Sequence, residues 1–172
     1  MLYATLVAQP KRLPGISYDQ LAVYFITTVT LNRVKVFTDH EFAQFVVDAL
    51  VAIAKRLGFQ ISAYVVMPDH VHFVATAEEE GADLEQLVKD WKQKTGFEWK
   101  KKHKYRLWQK GYVDRVLRAE EHTLSVCRYV LENPIRAKLA AHPSDYPLCG
   151  STQYTIEEIC EAIHIRGWWN PH

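Results

Sequence analysis

Two histidines separated by one residue, His70 and His72, lie in the segment Pro68-Asp69-His70-Val71-His72. Side chains two positions apart in a β-strand point to the same face of the sheet, so the two imidazoles would lie side by side. Because imidazole is a common ligand of divalent metals, this spacing predicts a two-ligand metal clip. An isolated pair of this kind is as typical of packing or surface residues as of metal ligands. The sequence context must therefore decide between these two interpretations.

A tyrosine and an asparagine, Tyr129 and Asn133, are four positions apart in a segment with helical periodicity. At that spacing both side chains project from one face of a helix, which would aim a phenol and an amide together. Asn133 precedes Pro134, and Asn-Pro pairs are typical of helix ends. Taken alone, Tyr129 is one of nine tyrosines and more typical of a core residue, and Asn133 is a helix terminator.

The segment from Lys89 to Lys110 is strongly basic, and Trp91, Trp99, Tyr105 and Trp108 are interleaved in it. Basic side chains beside aromatic rings suit a surface that follows a nucleic-acid backbone and stacks on its bases. The alternative is a solvated amphipathic helix whose tryptophans belong to the core, which we favour for Trp91. The predicted DNA-binding residues are Lys89, Lys92, Lys100, Lys101, Lys102, Lys104, Arg106 and Lys110, extended by Arg115, Arg118, Arg128 and Arg136.

The first half of the chain is predicted to contain three strands and a helix. Val23 to Val29 is rich in β-branched and aromatic residues and is typical of a buried strand. Apolar residues then recur at helical intervals over roughly 39 to 57, after a capping-box signal at Thr38. The segments 60–67 and 70–76 are predicted to be the two strands of a hairpin. The histidine pair therefore begins the third strand.

The second half is predicted to contain three helices and one more strand. A capping aspartate opens a helix over 83–102, and a short strand follows over 112–116. The next helix covers 120–132 and ends at Pro134. A small helix with a capping box is predicted over about 155 to 165.

This order of elements, β-α-β-β-α-β followed by a helix, predicts the fold class. It folds most simply as an α+β, ferredoxin-like four-stranded antiparallel sheet with helices on one face. The helix that carries Tyr129 is then free to approach the sheet. We expect residues 1–142 to form one domain and residues 143–172 to be a C-terminal extension packed on that same domain.

Composition limits the classes of protein that remain. The chain has 172 residues, 48% of them hydrophobic, and a net charge of +1, which argues against a disordered tail or a globally basic coating protein. No segment is long and apolar enough to cross a membrane. The three cysteines, Cys127, Cys149 and Cys160, are too widely spaced for a disulfide framework or a zinc ribbon, so we expect a cytoplasmic protein.

Several ordered motifs together resemble the single-tyrosine HUH transposases. The first is Tyr64-Val65-Val66-Met67-Pro68-Asp69-His70-Val71-His72-Phe73. The second is Trp108-Gln109-Lys110-Gly111-Tyr112 with Asp114-Arg115 just after it, and the third is Tyr129-Val130-Leu131-Glu132-Asn133-Pro134-Ile135-Arg136-Ala137. The likeness extends from about Val23 to Tyr146 and is greatest to the REP-associated tyrosine transposases of bacteria, which are IS200-like. Three ordered motifs at family-like spacing are a stronger signal than one histidine pair.

The resemblance implies a function and a role for each motif. It implies that His70, His72 and Asn133 ligate a divalent metal, Mg²⁺ or Mn²⁺, and that Tyr129 is the nucleophile. The expected activity is site-specific cleavage and strand transfer of single-stranded DNA beside a hairpin, through a 5′-phosphotyrosine intermediate. The expected partner is therefore hairpin-bearing single-stranded DNA, and the extra C-terminal segment favours a monomer over a dimer.

Two other hypotheses remain open at this point. A ferredoxin-like sheet is also an RNA-recognition scaffold, so the protein could bind structured single-stranded DNA or RNA without cutting it. It could also be a metal-dependent nuclease that uses water as its nucleophile and releases a free 5′ phosphate.

Overall fold

A five-stranded antiparallel sheet lies at the centre of the molecule, in a computed structural model that describes residues 22–117 and 120–165. The strands follow the spatial order β4-β1-β3-β2-β5. Their bounds are β1 Val23–Val29, β2 Phe59–Met67, β3 His70–Ala77, β4 Val113–Leu117 and β5 Cys149–Gly150. The first four strands have the order of a ferredoxin-like sheet, which confirms the predicted fold class.

In the part of the chain that the structure describes, four α-helices cover the two faces of this sheet: α1 His40–Arg56, α2 Leu84–His103, α3 Glu120–Arg136 and α4 Ile156–Ile165. Helices α1 and α2 bury a large apolar cluster with one face of the sheet, while α3 and α4 pack on a smaller cluster at the other face. Within the described ranges no helix is long and apolar enough to span a membrane.

Alternation along β3 decides which face receives each side chain. Val71 and Phe73 belong to the cluster under α1 and α2, whereas Val74 belongs to the cluster under α3. Full burial of an aliphatic or aromatic side chain contributes about 1.5–3 kcal/mol, so a slip of one residue in register would expose several such groups. The same alternation directs His70 and His72 to the α3 side.

Two predicted helix boundaries were wrong. The N-cap of α1 is Asp39, whose carboxylate accepts a hydrogen bond from the Phe42 amide at 3.1 Å, so the cap lies one residue after Thr38. Helix α3 continues through Pro134 to Arg136. Burial of Pro134 in the last turn explains this, because packing holds the helical path although the ring removes one backbone donor.

The fifth strand was not predicted, because it has only two residues. Residues near it form a ladder along the outer edge of β2: the Val66 amide donates to the Leu148 carbonyl at 2.8 Å, and the Thr152 amide donates to the Ile61 carbonyl at 2.9 Å. These bonds attach the segment after residue 143 to the same sheet that carries the histidine pair.

Candidate active site

The histidine pair lies where β3 begins, on the face of the sheet that α3 covers. The ring centroids of His70 and His72 are 4.7 Å apart. On the adjacent strand β1, Val29 pairs with His70 and Thr27 pairs with His72. His72 is buried, with 7% of its surface exposed, while His70 is partly exposed. One ring of the pair thus sits inside the fold, and the other faces its surface.

Each imidazole is held by a hydrogen bond at its Nδ1 atom. His70 Nδ1 lies 2.5 Å from a carboxylate oxygen of Asp69, and His72 Nδ1 lies 2.8 Å from the Thr27 hydroxyl. A carboxylate can only accept, so His70 donates through Nδ1 and its other nitrogen is available as a ligand. Neither Nε2 atom has a hydrogen-bond partner in the part of the chain that the structure describes.

Burial also favours the neutral form of the inner histidine. It lowers the pKa of His72 to about 3, with smaller contributions in the same direction from the charges of His70 and Arg33. Burial alone would raise the pKa of Asp69, but its hydrogen bonds and charge interactions with His70 and Arg33 lower it below the ordinary value. At neutral pH His72 therefore carries no charge, as a metal ligand requires.

Tyr129 lies directly against His72, the buried member of the histidine pair, although α3 is remote from β3 in the sequence. Its ring is edge-on to His72 with centroids 5.7 Å apart, and it also meets Phe25 of β1 at 6.0 Å. The guanidinium carbon of Arg136 lies 4.7 Å from the centre of the tyrosine ring. Since 40% of Tyr129 is exposed, its position allows access to a substrate from solvent.

The amide of Asn133 has a defined orientation on α3. Its Nδ2 donates to the Tyr129 carbonyl at 2.7 Å and, more weakly, to the Val130 carbonyl at 3.5 Å. Pro134 has no amide hydrogen for the Val130 carbonyl, so the side chain of Asn133 takes over part of that role. The amide nitrogen is thereby occupied, and Oδ1 is the atom left to act as a ligand. No hydrogen bond joins Asn133 to either histidine among the described residues.

The donor set fits a divalent ion of borderline character. Two imidazole nitrogens and one amide oxygen suit Mn²⁺ or a related transition metal and tolerate Mg²⁺. Within residues 22–117 and 120–165, no group of three or more histidine, cysteine, aspartate or glutamate side chains is arranged to hold a metal. A metal at the histidine pair would therefore need the asparagine amide, DNA or water as its further ligands.

The basic end of α2 lies at the same end of the sheet as the histidine pair. The loop that follows α2 is anchored there, because the Leu31 amide donates to the Leu107 carbonyl at 2.8 Å and the Gln109 amide donates to the Val29 carbonyl at 2.9 Å. Val29 in turn pairs with His70. The exposed predicted DNA-binding residues carried by this end of α2 and its loop are Lys100, Lys101, Lys102, Lys104, Arg106 and Lys110.

The aromatic residues of this segment differ from the expected stacking surface. Trp91 is fully buried, as favoured, but Trp99 and Trp108 are buried as well. The Trp108 indole donates to the Thr95 hydroxyl at 2.9 Å inside the core. Tyr105 alone among the four predicted aromatics is exposed, so the expected stacking role was wrong for Trp99 and Trp108, which position the loop instead.

The remaining predicted DNA-binding residues occupy varied environments. The Lys92 ammonium donates to the Gln109 and Gly111 carbonyls at 3.0 and 2.5 Å, and burial lowers its pKa to about 8. Arg128 and Arg136 both bond Glu132, each at 2.6 Å. Lys89 on α2 and Arg115 on β4 are exposed, and Arg118 lies outside the described residues.

Three residues of this site were missed in the sequence: Thr27, Arg33 and Asp69. Asp69 was part of the quoted motif, and its adjacency to His70 is a signal that could have found it. Thr27 follows only from the β1–β3 register, and Arg33 only from the turn after β1, so no local pattern marks either one.

Comparison with known proteins found a matching family model and similar solved structures. A family model described as "Transposase IS200 like" matches residues 19–133. The solved structure of a REP-associated tyrosine transposase bound to a REP hairpin is similar in fold, with a TM-score of 0.69 and 21% identity, covering 95% of this chain and 89% of that chain. A candidate transposase of Deinococcus radiodurans R1 is 27% identical, with a TM-score of 0.48, over 72% of this chain and 97% of that chain. Comparison with curated protein sequences gave no match.

Proposed function

Given that this chain belongs to the IS200-like transposase family, a family of DNA-transposing proteins, we propose that it cleaves and rejoins single-stranded DNA through Tyr129. The observation that carries this proposal is the contact between the rings of Tyr129 and His72, at 5.7 Å. Helix α3 and strand β3, which are remote in the sequence, thus bring the proposed nucleophile against one of the two histidines that we propose as metal ligands.

The proposed reaction is a transesterification at one DNA phosphate. The Tyr129 oxygen attacks phosphorus, the new bond joins the tyrosine to the 5′ phosphate of one fragment, and the bond from phosphorus to the 3′ oxygen breaks. The phenol gives its proton to solvent, and the departing 3′ oxygen takes one up. Attack of a 3′ hydroxyl on the phosphotyrosine reverses the step and rejoins the strand without an external energy source.

The residues around Tyr129 supply positioning and charge for this step. A phenol is a weak nucleophile at neutral pH, so the phosphate must be made more electrophilic. Mg²⁺ or Mn²⁺, bound by His70, His72 and Asn133, would polarise the phosphate and orient it for in-line attack. The Arg136 guanidinium over the tyrosine ring adds a positive charge beside the reacting groups.

Hairpin-bearing single-stranded DNA is the substrate that we propose. The similar solved structure is bound to a REP hairpin, and the exposed basic end of α2 lies at the histidine end of the sheet. Basic side chains along such a surface can contact successive phosphates of a strand that leads to Tyr129. A monomer and a cytoplasmic location remain predictions from the sequence.

End-labelled oligonucleotides test this proposal. A panel of hairpins with single-stranded flanks is incubated with the protein and Mn²⁺, Mg²⁺ or EDTA, and a fully duplex oligonucleotide serves as the control. We expect a 3′-labelled strand to become linked to protein in SDS and a 5′-labelled strand to be released with a 3′ hydroxyl, only with metal. A free 5′ phosphate would indicate a water-dependent nuclease, and binding without cleavage a passive binder; either result would overturn the proposal.

A further inference from the structure

A tight turn after β1 places the side chain of Arg33 against Asp69, the residue that precedes His70. The Val34 amide donates to the Leu31 carbonyl at 3.3 Å and closes the turn, whose two central residues are Asn32 and Arg33. Both have left-handed backbone conformations, with φ of 55° and 54°. Such turns favour asparagine first and glycine second, so the arginine side chain is not what this backbone prefers.

Hydrogen bonds fix this turn against the segment that carries the histidines. The Thr30 amide and hydroxyl both donate to the Asp69 carbonyl, each at 2.9 Å, and the hydroxyl also lies 2.8 Å from the Val34 carbonyl. The turn therefore cannot move away from Asp69 without losing buried bonds. Arg33 is thereby kept next to Asp69, although its left-handed backbone conformation is unfavourable.

The Arg33 guanidinium is only lightly engaged there. Its Nη1 lies 3.3 Å from one oxygen of Asp69, whose other oxygen is taken by His70 at 2.5 Å. The arginine side chain is 55% exposed, so this ion pair is weak and most of its donors face solvent.

We propose that Arg33 binds the DNA phosphate that the histidine pair faces, and so is a substrate-binding residue of this active site. The proposal rests on the function proposed above, because the phosphate belongs to the cleaved strand. A planar guanidinium can donate two parallel bonds to phosphate oxygens, which a lysine cannot match. Arg33 and Arg136 would then lie near the two sides of the reacting phosphate, one beside His70 and one beside Tyr129.

Arg56 provides a matched control for Arg33. It is 58% exposed and also forms an ion pair with an aspartate, Asp90, at 2.5 Å. It ends α1, just before β2 begins at Phe59, which pairs with Ala77 at the far end of β3 from the histidines. Arg56→Gln therefore removes the same charge from a similar environment at the other end of the sheet.

The salt dependence of DNA binding tests the proposal without cleavage or a known target sequence. The probe is a labelled oligothymidylate of about twelve nucleotides, a length within the usual single-strand site sizes, titrated with Mn²⁺ present in a Tyr129→Phe background. Loss of one phosphate contact should reduce the slope of log K against log salt by about 0.7, or about fivefold in affinity near 0.1 M salt. We expect this change for Arg33→Gln and not for Arg56→Gln. Arg33→Lys keeps the charge and should keep the slope, but it should bind the DNA more weakly than the parent because it loses the paired donors. An unchanged slope in Arg33→Gln, or an equal change in Arg56→Gln, would overturn the proposal.

Mn²⁺ affinity separates phosphate binding from an indirect role through Asp69. Removing the Arg33 charge removes a repulsion from the metal, so we expect Arg33→Gln to bind Mn²⁺ at least as tightly as the parent while it binds DNA more weakly. If Arg33 acted only by holding Asp69 and His70, both affinities would fall together, and the proposal would be wrong. The proposed function has its own readout, the covalent product of Tyr129, so the two can fail separately.

Discussion

The rings of His72 and Tyr129 meet edge-on with centroids 5.7 Å apart, although His72 lies on β3 and Tyr129 lies on α3. Phe25 completes this contact, since it stacks on His72 at 5.5 Å and meets Tyr129 at 6.0 Å. The phenylalanine thus supports both rings from β1. This packing ties the position of the proposed nucleophile to that of the buried proposed ligand.

Removal of the Asp69 carboxylate should weaken metal binding. Asp69→Ala removes the hydrogen bond to His70 Nδ1. That bond fixes the orientation of the ring and leaves Nε2 as the nitrogen that can bind the metal. Partners of this kind typically contribute 10- to 100-fold to affinity, and we expect a loss of about tenfold for Mn²⁺ measured by electron paramagnetic resonance. Asp48→Ala, at an exposed carboxylate on α1, is the control and should leave the affinity unchanged. Equal affinities of the two variants would show that Asp69 does not orient the ligand.

Replacement of Arg33 by glycine should stabilise the fold while it weakens DNA binding. A left-handed conformation costs an ordinary residue roughly 1–2 kcal/mol, and glycine avoids most of this cost. We therefore expect Arg33→Gly to raise the free energy of unfolding by about 1 kcal/mol in urea titrations. Gly111, with φ of 78°, allows the opposite test: Gly111→Ala should destabilise the protein although no atom beyond the adjacent residues lies within 4 Å of the added carbon. Destabilisation by Arg33→Gly would contradict the strain that we assign to this turn.

The pH dependence of stability should report the buried Lys92. Its pKa falls from 10.5 to about 8 on burial, so between these values the unfolded chain binds more protons than the folded one. The free energy of unfolding then rises with pH over this window. We expect the wild type to gain stability relative to Lys92→Met as the pH is raised from 8 to 10.5. Parallel urea titrations of the two proteins at each pH give the difference, and a constant difference would contradict the lowered pKa.

Trp108 should be essential for the position of the basic loop. It is buried against Trp91 and Phe37, with centroids 5.0 and 5.6 Å away, and truncation of a buried tryptophan typically costs about 3–5 kcal/mol. We expect Trp108→Ala to lose that much stability in urea titrations. Phe97→Ala, at a ring that is 62% exposed, should change it by less than about 0.5 kcal/mol. A small effect of Trp108→Ala would show that the loop is held by its backbone bonds alone.

The sequence predicted those parts of the site that depend on local spacing. The two-residue period of a strand placed His70 and His72 together, and the turn of a helix placed Tyr129 and Asn133 together. Hydrophobic periodicity also predicted the order of the elements. The prediction that the two pairs belong to one site came from the family resemblance, because no local pattern indicates how α3 lies on β3; the structure places Tyr129 against His72.

The missing parts of the site depend on contacts between distant segments. Thr27 reaches His72 only because β1 pairs with β3 in a particular register. Lys92 resembled a surface cation in the sequence, but the returning loop brings two carbonyls over its ammonium group. The fifth strand could not be predicted for the same reason. Two residues are too few to show the alternation of a strand, and their pairing with β2 is set by the tertiary fold.

The central claim, that Tyr129 is the nucleophile, is tested most directly by mass spectrometry of the protein–DNA product. The product formed with Mn²⁺ and a hairpin oligonucleotide is digested with nuclease and trypsin, and the peptide Tyr129–Arg136 is examined for a nucleotide joined through phosphate. We predict that modification on Tyr129, its loss in Tyr129→Phe, and its retention in Tyr154→Phe, a control at another exposed tyrosine. A covalent product from Tyr129→Phe, or a modification on any other residue, would contradict this account.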